Sequence, residues 1–444
     1  MMVLGVANVT AQQPLTTSPQ QENAKTDFKF DFGPGKVASG YTKVLPDMFY
    51  SDERGYGFDF GSKPIGTERA GSDAIRDGFV TTNDYPILFS VKVPQEGNYR
   101  ITLTLGDAQG ESNNTIRTEA GHLMATDLST TRGKFITRTF IANVRRPQLP
   151  PPPKNAPGES IVHMFLEGED EAICWDNKLT IELNGPLPKL CAIEISKADE
   201  LPTLFTAGNS TAGDPRRGPG GNWPTQMCQF FKPEIAVCNS AEGGETTKSF
   251  VTGQRMDKVL SQMKKGDFFL IQFGHNDSKD YWPQSYTDPK TTFKAYLKVL
   301  ITETQRKGGT VVLVTPMERR ANEDSVGPWA RAMMEVAKEE NVFLIDQWTM
   351  SKELWTTLGQ DVGKAFNDQT HLSGYGGYLL SKVLVTGIKR NVPDLAKYIV
   401  DGFQEIDLSH PDSPPLYLNE QAGTQIPPIR KPRVEATAPT KSGN

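Results

Sequence analysis

Hydrophobic and polar positions divide this chain into two textures. From Phe28 the first texture is strict alternation: Phe28, Phe30 and Phe32 alternate with Lys29 and Asp31, the period of a half-buried strand. Further short runs follow as "GFDFG", "PILFSVKVP", "YRITLTLGD", "KFITRTFIANV", "IVHMFLEG", "KLTIELNG" and "LCAIEIS", punctuated by Gly, Pro, Asn and Asp. No amphipathic helical period appears between 28 and 197. Short strands with frequent turns predict an all-β sandwich over 27–197. The stretch "RRPQLPPPPKNAPGES" at 145–160 reads as an exposed polyproline loop, since proline cannot donate to a central ladder.

After Lys197 strand-like runs alternate with helix-like ones. "TLFTA", "IAVCNSA", "DFFLIQFG", "TVVLVTP" and "VFLID" are apolar on both alternating sets of positions. Between them lie helical patterns through "WPTQMCQFF", Met256–Lys264, "TTFKAYLKVLITETQRKG" and "WARAMMEVAKEE", with a last one through "GYGGYLLSKVLVTGIKR". Five apolar strands separated by helices predict a parallel sheet covered on both faces, over 198–404. The Pro-rich tail, 405–444, shows no core pattern of its own. Residues 12–26 read as a linker.

Composition narrows the class. The 444 residues are 37% hydrophobic and 23% charged with a net charge of −5, as expected for a globular protein. No long basic run argues for nucleic acid as a partner, and no stretch has the length of a membrane span. The start, "MMVLGVANVTAQQ", is apolar and ends in Val9-Thr10-Ala11, which would suit signal peptidase. It lacks a leading Lys or Arg, so it reads equally as a truncated secretory signal, with a secreted or periplasmic protein, or as a plain terminus. Cys174, Cys191, Cys228 and Cys238 have no metal-ligand spacing; four cysteines permit two disulfides without requiring them. The expected protein is a monomer that uses no metal and no cofactor.

In open parallel sheets ligands bind beyond the carboxyl ends of the strands. Four loops there hold chemistry: Gly208-Asn209-Ser210; Asn239 to Gly244; Gly274-His275-Asn276-Asp277; and, before the last helix, Asp368-Gln369-Thr370-His371. Ester hydrolysis needs a nucleophile, a base, a group that orients the base, and donors for the oxyanion. Ser210, His371 and Asp368 can fill the first three roles. The Ser210 and Gly244 N–H groups and the Asn276 amide can fill the fourth. Each piece alone has a plainer reading. A Gly-x-Ser is commonly a turn, and Asp-x-x-His recurs at Asp407–His410, beside Pro411 and away from the sheet. His122 and His163 lie in the β-rich half, where packing is the simpler role. Asn209, Trp223, His275 and Trp282 are candidates for contact with substrate, the tryptophans as sugar-stacking platforms or as core.

The segments "AGNST", "NSAEGGETTKSF", "GDFFLIQFGHND" and "DQTHLSGYGGYLL" resemble the motif blocks of the SGNH (GDSL-like) hydrolases, and more narrowly the rhamnogalacturonan acetylesterases. The resemblance covers about 200–390. The region 28–197, with "FDFGPG", "YSDERGYGFDFG" and "WDNKLTIELNG", resembles the galactose-binding-like sandwich that precedes some bacterial members. The resemblance implies a three-layer α/β fold with a five-stranded parallel sheet. It also implies a metal-free Ser210–His371–Asp368 esterase acting on acetylated plant cell-wall polysaccharide, with pectic rhamnogalacturonan as substrate. The sandwich would bind or position polysaccharide and do no chemistry. Acetylated xylan is the alternative substrate. One position departs: the family writes Gly-Asp-Ser where this chain has Gly208-Asn209-Ser210. A carbohydrate-binding protein with weakened catalysis is therefore the alternative class.

Overall fold

The computed structural model describes residues 26–69, 71–83, 86–119, 121–162, 174–214, 221–321 and 323–419. The signal-like segment, His163 and most of "IVHMFLEG" lie outside them.

The alternating runs build two facing sheets. One has seven strands. Phe135–Val144, Gly97–Gly106, Leu190–Lys197, Phe28–Phe32 and Thr42–Val44 lie side by side, and Gly78–Thr81 with Ile65–Glu68 joins at Leu190–Lys197. The other has five: Tyr56–Phe58, Ile87–Lys92, Lys178–Leu187, Ser112–Thr118 and His122–Thr130. The inward set of each alternation fills the space between them. Phe89 makes edge-on contacts with Phe30, Phe32 and Phe58 at centroid distances of 5.1, 4.9 and 5.7 Å. Such contacts add to the burial of each ring.

Two of these strands, Ser112–Thr118 and His122–Thr130, lack an apolar alternation. Ser112, Asn114, Thr115 and Arg117 are nevertheless buried. Their polar groups are paired: Ser112 Oγ with Thr130 Oγ1 at 2.8 Å, and Arg117 with Glu182 at 3.2 Å. A buried polar strand carries no periodic hydrophobic signal, which is why the pattern misses it.

From Thr203 the chain forms a five-stranded, all-parallel sheet. Its order is Ala236–Asn239, Thr203–Ala207, Phe268–Ile271, Thr310–Val314, Phe343–Ile345. Alternate residues go to opposite faces. Leu204, Leu270, Val312 and Val314 pack with the helices Trp223–Met227, Gln347–Leu358 and Gly374–Asn391. Phe205, Phe269, Ile271 and Leu313 pack with Arg255–Gln262, Thr292–Arg306 and Gly327–Glu339. Burial on both faces explains why these strands read as unbroken apolar runs. The first strand lies between the second and third, so the chain reverses direction across the sheet there. That is the switch point at which such folds open a crevice.

Two expectations change and one open alternative closes. Arg145, assigned to the exposed loop 145–160, is fully buried, although 150–160 is largely exposed. The tail does not leave the fold at 405: Ile406 is buried in the parallel-sheet core, and the buried Tyr417 donates through Oη to Gln226 Oε1 at 2.7 Å. The permitted disulfides do not form; all four cysteines are free and buried.

Candidate active site

The loop after the first strand is shaped by its own residues. At Gly208 a Cβ would stand 2.8 Å from Ala212 Cβ and 3.1 Å from Gln272 O, so only glycine fits. Asn209 O accepts from Ala212 N and Gly213 N, each at 2.9 Å. Asn209 Oδ1 accepts from Thr211 N at 3.1 Å and Thr211 Oγ1 at 2.9 Å. Asn222 Nδ2 closes the turn by donating to Ser210 O at 2.8 Å and Gly213 O at 2.9 Å. Ser210 is thereby held half-buried just beyond the strand end.

The histidine loop is a second tight turn. Asn367 N donates to His371 O at 2.8 Å, and Asp368 Oδ1 accepts from Thr370 N at 2.6 Å and His371 N at 2.7 Å. Ser373 then caps the helix Gly374–Asn391 by accepting from Gly376 N.

The two turns meet. His371 Nδ1 is 2.6 Å from Asp368 Oδ2, and His371 Nε2 is 2.9 Å from Ser210 Oγ. A carboxylate only accepts, so Nδ1–H donates to it and Nε2 is left to accept from the serine O–H. Burial pushes the Asp368 carboxyl up, but the bonds from His371 and Thr370 outweigh it and hold the group at about 2. Asp368 is thus charged across the ordinary pH range.

The other two loops are tied together beside this line. Gly244 has φ +85, a conformation glycine adopts without strain, and a Cβ there would meet no protein atom within 4 Å. Asn276 Nδ2 donates one proton to Glu245 O at 3.0 Å and keeps a second N–H. Asp277, present in this loop's sequence without an assigned role, holds the loop. Its Oδ1 accepts from Thr247 N, Thr247 Oγ1 and Thr287 Oγ1 at 3.0, 2.6 and 2.9 Å, and its Oδ2 from Gly274 N at 3.1 Å. An Asp beside a Gly-His-Asn run was the available signal.

Three of the four proposed substrate contacts are corrected. Trp223 is fully buried in the core and donates through Nε1 to Gln272 Oε1 at 3.2 Å, so it offers no face to a sugar. Asn209 is fully buried and shapes the turn instead. His275 is 2% exposed, and its carbonyl accepts from Arg319 Nη2 at 3.0 Å. Burial, and then the Arg319 charge, depress the His275 imidazole to about 3, so it stays neutral beneath the surface. Trp282 alone stays accessible at 46%, with Tyr281 beside it at 66%. His410 repeats the bond to its own aspartate, Nδ1 to Asp407 Oδ2 at 3.1 Å, but is 86% exposed. His122 is buried, 3.0 Å from Asp214 Oδ1.

The profile of the GDSL-like lipase/acylhydrolase family matches residues 205–377. YesY from Bacillus subtilis, named a probable rhamnogalacturonan acetylesterase, is 33% identical over 201 residues, covering 42% of this chain and 92% of YesY. The chain belongs to the GDSL-like hydrolases. It is a carboxylic ester hydrolase. RhgT of the same organism, a rhamnogalacturonan acetylesterase, is 31% identical over 210 residues, covering 42% of this chain and 89% of RhgT. The profile described as Beta-agarase/YXIM esterase-like, galactose-binding domain-like matches residues 28–129 of the sandwich. The uncharacterized esterase YxiM, also from Bacillus subtilis, has the same overall extent. It is 25% identical over 408 residues, covering 87% of this chain and 94% of YxiM.

Proposed function

We propose that this hydrolase removes acetyl groups from pectic rhamnogalacturonan, outside the cytoplasm, with Ser210 as nucleophile. The observation that carries the reading is the unbroken line from Asp368 Oδ2 through His371 to Ser210 Oγ, with contacts of 2.6 and 2.9 Å. Ser210 Oγ attacks the acetyl carbonyl carbon while His371 Nε2 takes its proton. The oxyanion accepts from the N–H groups of Ser210 and Gly244 and the free N–H of Asn276. Collapse of the intermediate expels the sugar oxygen, which takes the proton from His371. Water, deprotonated by His371, then attacks the acetyl-serine; acetate leaves as Ser210 Oγ takes the proton back from His371. Asp368 remains ionised throughout and stabilises the imidazolium.

YesY and RhgT support the choice of polymer, and exposed Trp282 and Tyr281 supply aromatic faces against which a sugar ring can pack. We place the boundary between the sandwich, 27–197, and the hydrolase unit at 197–198, with the hydrolase unit running past 404 to include Ile406 and Tyr417. The test is acetate release from acetylated rhamnogalacturonan and acetylated xylan by the wild type and Ser210→Ala. Release from rhamnogalacturonan that disappears in Ser210→Ala is expected. Preference for xylan refutes the substrate, and turnover by Ser210→Ala refutes the nucleophile.

A further inference from the structure

Side chains of the sandwich reach across the domain boundary into the loops that carry Ser210 and Gly244. Asp214 lies on the serine loop and is 5% exposed. Its carboxylate accepts from His122 Nε2 at 3.0 Å, from Asn239 Nδ2 at 2.9 Å and from Arg145. His122 opens the sandwich strand His122–Thr130, and Arg145 directly follows Phe135–Val144. Burial pushes the Asp214 carboxyl up, but Arg145, then His122 and Asn239, hold it at about 2. Asn239 binds the same loop again, donating to Ala212 O at 2.9 Å while its Oδ1 accepts from Thr206 Oγ1 at 2.6 Å.

A second route leads to Gly244. Trp175 of the sandwich is 4% exposed. The Arg145 and Arg255 guanidinium groups lie 4.9 and 5.3 Å from its ring centroid. Arg255, itself fully buried, donates to Ser240 O at 3.0 Å and pairs with Glu242, two residues before Gly244. The next residue on the other side, Glu245, holds Asn276 through its carbonyl. Arg145, Trp175 and Arg255 therefore connect the serine loop to both remaining oxyanion donors.

A sandwich that served only as a separate carbohydrate module would need little more than an apolar or wet contact with its neighbour. Here the apolar contact of Ile141 with Ala198 and Ala236 is joined by buried charges, which are costly when left unpaired, and they end on the catalytic loops. We infer that the sandwich completes the esterase site, with Arg145, His122 and Trp175 as positioning residues for the Ser210 and Gly244 loops. This rests on the reading of Ser210 given above. It makes the sandwich part of the catalytic machinery on small esters as well as on polymer.

The test uses the full chain and p-nitrophenyl acetate. Arg145→Met and Trp175→Leu are measured for kcat, KM and unfolding temperature beside the wild type and Ser210→Ala. Displacing a catalytic loop by about 1 Å costs about a hundredfold in kcat with KM within about twofold, and that split is the expected result. A merely structural role would lower the unfolding temperature and leave kcat unchanged at 25 °C; that outcome overturns the inference. Arg145→Met strands the Asp214 carboxylate and so endangers folding. The paired variant Arg145→Met/Asp214→Asn leaves no buried charge alone. It is expected to fold and to turn over below the wild type but above Arg145→Met. Wild-type kcat in the paired variant and in Trp175→Leu overturns the inference whatever Arg145→Met does. Turnover by Ser210→Ala refutes the underlying site instead.

Discussion

Asp-x-x-His occurs twice, so the two histidines make an internal control. Both bond their own aspartate through Nδ1, at 2.6 Å for His371 and 3.1 Å for His410. Only His371 places its other nitrogen 2.9 Å from a serine hydroxyl. If that contact is the base–nucleophile pair, His371→Ala removes general-base catalysis, which contributes about 10²–10⁴-fold. The serine left behind is also unactivated, so the loss in kcat lies at the upper end, about 10⁴-fold or more. That is about 5 kcal/mol of transition-state stabilisation at ~1.4 kcal/mol per tenfold. His371 is 49% exposed, so little packing is lost and the unfolding temperature should hardly move. His410→Ala should leave kcat unchanged. Asp368→Asn is the third arm. The Asn side-chain oxygen can keep the bonds from Thr370 N and His371 N, but its amide then faces Nδ1 as a donor. This favours the wrong tautomer and should also cost several powers of ten. Initial rates on p-nitrophenyl acetate, with kcat and KM separated, decide all three. Comparable losses in the two histidine variants, or an unimpaired Asp368→Asn, would refute the reasoning.

Asn209 Nδ2 is buried without a hydrogen-bond partner among the described residues, whereas Oδ1 has two donors from Thr211. Aspartate keeps both and exchanges the orphan donor, which costs about 1–3 kcal/mol, for a charged acceptor. We therefore expect Asn209→Asp to raise kcat/KM by at most about a hundredfold, and a slower variant would show that the introduced charge outweighs the relief. Glu245 gives a pH signature. Burial pushes its carboxyl up to about 7, with Glu242 and Asp277 adding to the rise and Arg255 and Ser249 opposing it. The folded state then holds a proton that the unfolded chain has released. Its contribution is complete below about 4.5 and is lost as pH rises toward 7, at roughly 1 kcal/mol per pH unit. Glu245→Gln should flatten that part of the stability curve by difference from the wild type. Identical curves, from unfolding temperatures at pH 4.5–7.5, would disprove the assignment.

Hydrophobic period alone determined the two architectures, because burial on one face demands alternation and burial on both demands unbroken apolar strands. It also placed Ser210, Gly244 and Asn276 on loops at one rim, since consecutive parallel strands present all their carboxyl ends to the same side; His371 lies between two helical segments, and the fold brings it to Ser210. The strands Ser112–Thr118 and His122–Thr130 escaped the hydrophobic period, because much of what they bury is polar and satisfied by hydrogen bonds, which breaks the apolar alternation around Ile116 and Leu123. Nor could it tell Trp223 in the core from Trp282 at the surface; an indole looks the same in sequence whether its N–H bonds Gln272 or its face meets solvent. The boundary network was wholly invisible. Asp214, Arg145, His122 and Trp175 come from four distant segments, and Arg145 sits in a Pro-rich stretch that locally reads as exposed loop. Local pattern reports which face of an element is apolar. Which charges that face will meet depends on how the sandwich docks on the parallel sheet, and only the tertiary structure decides that.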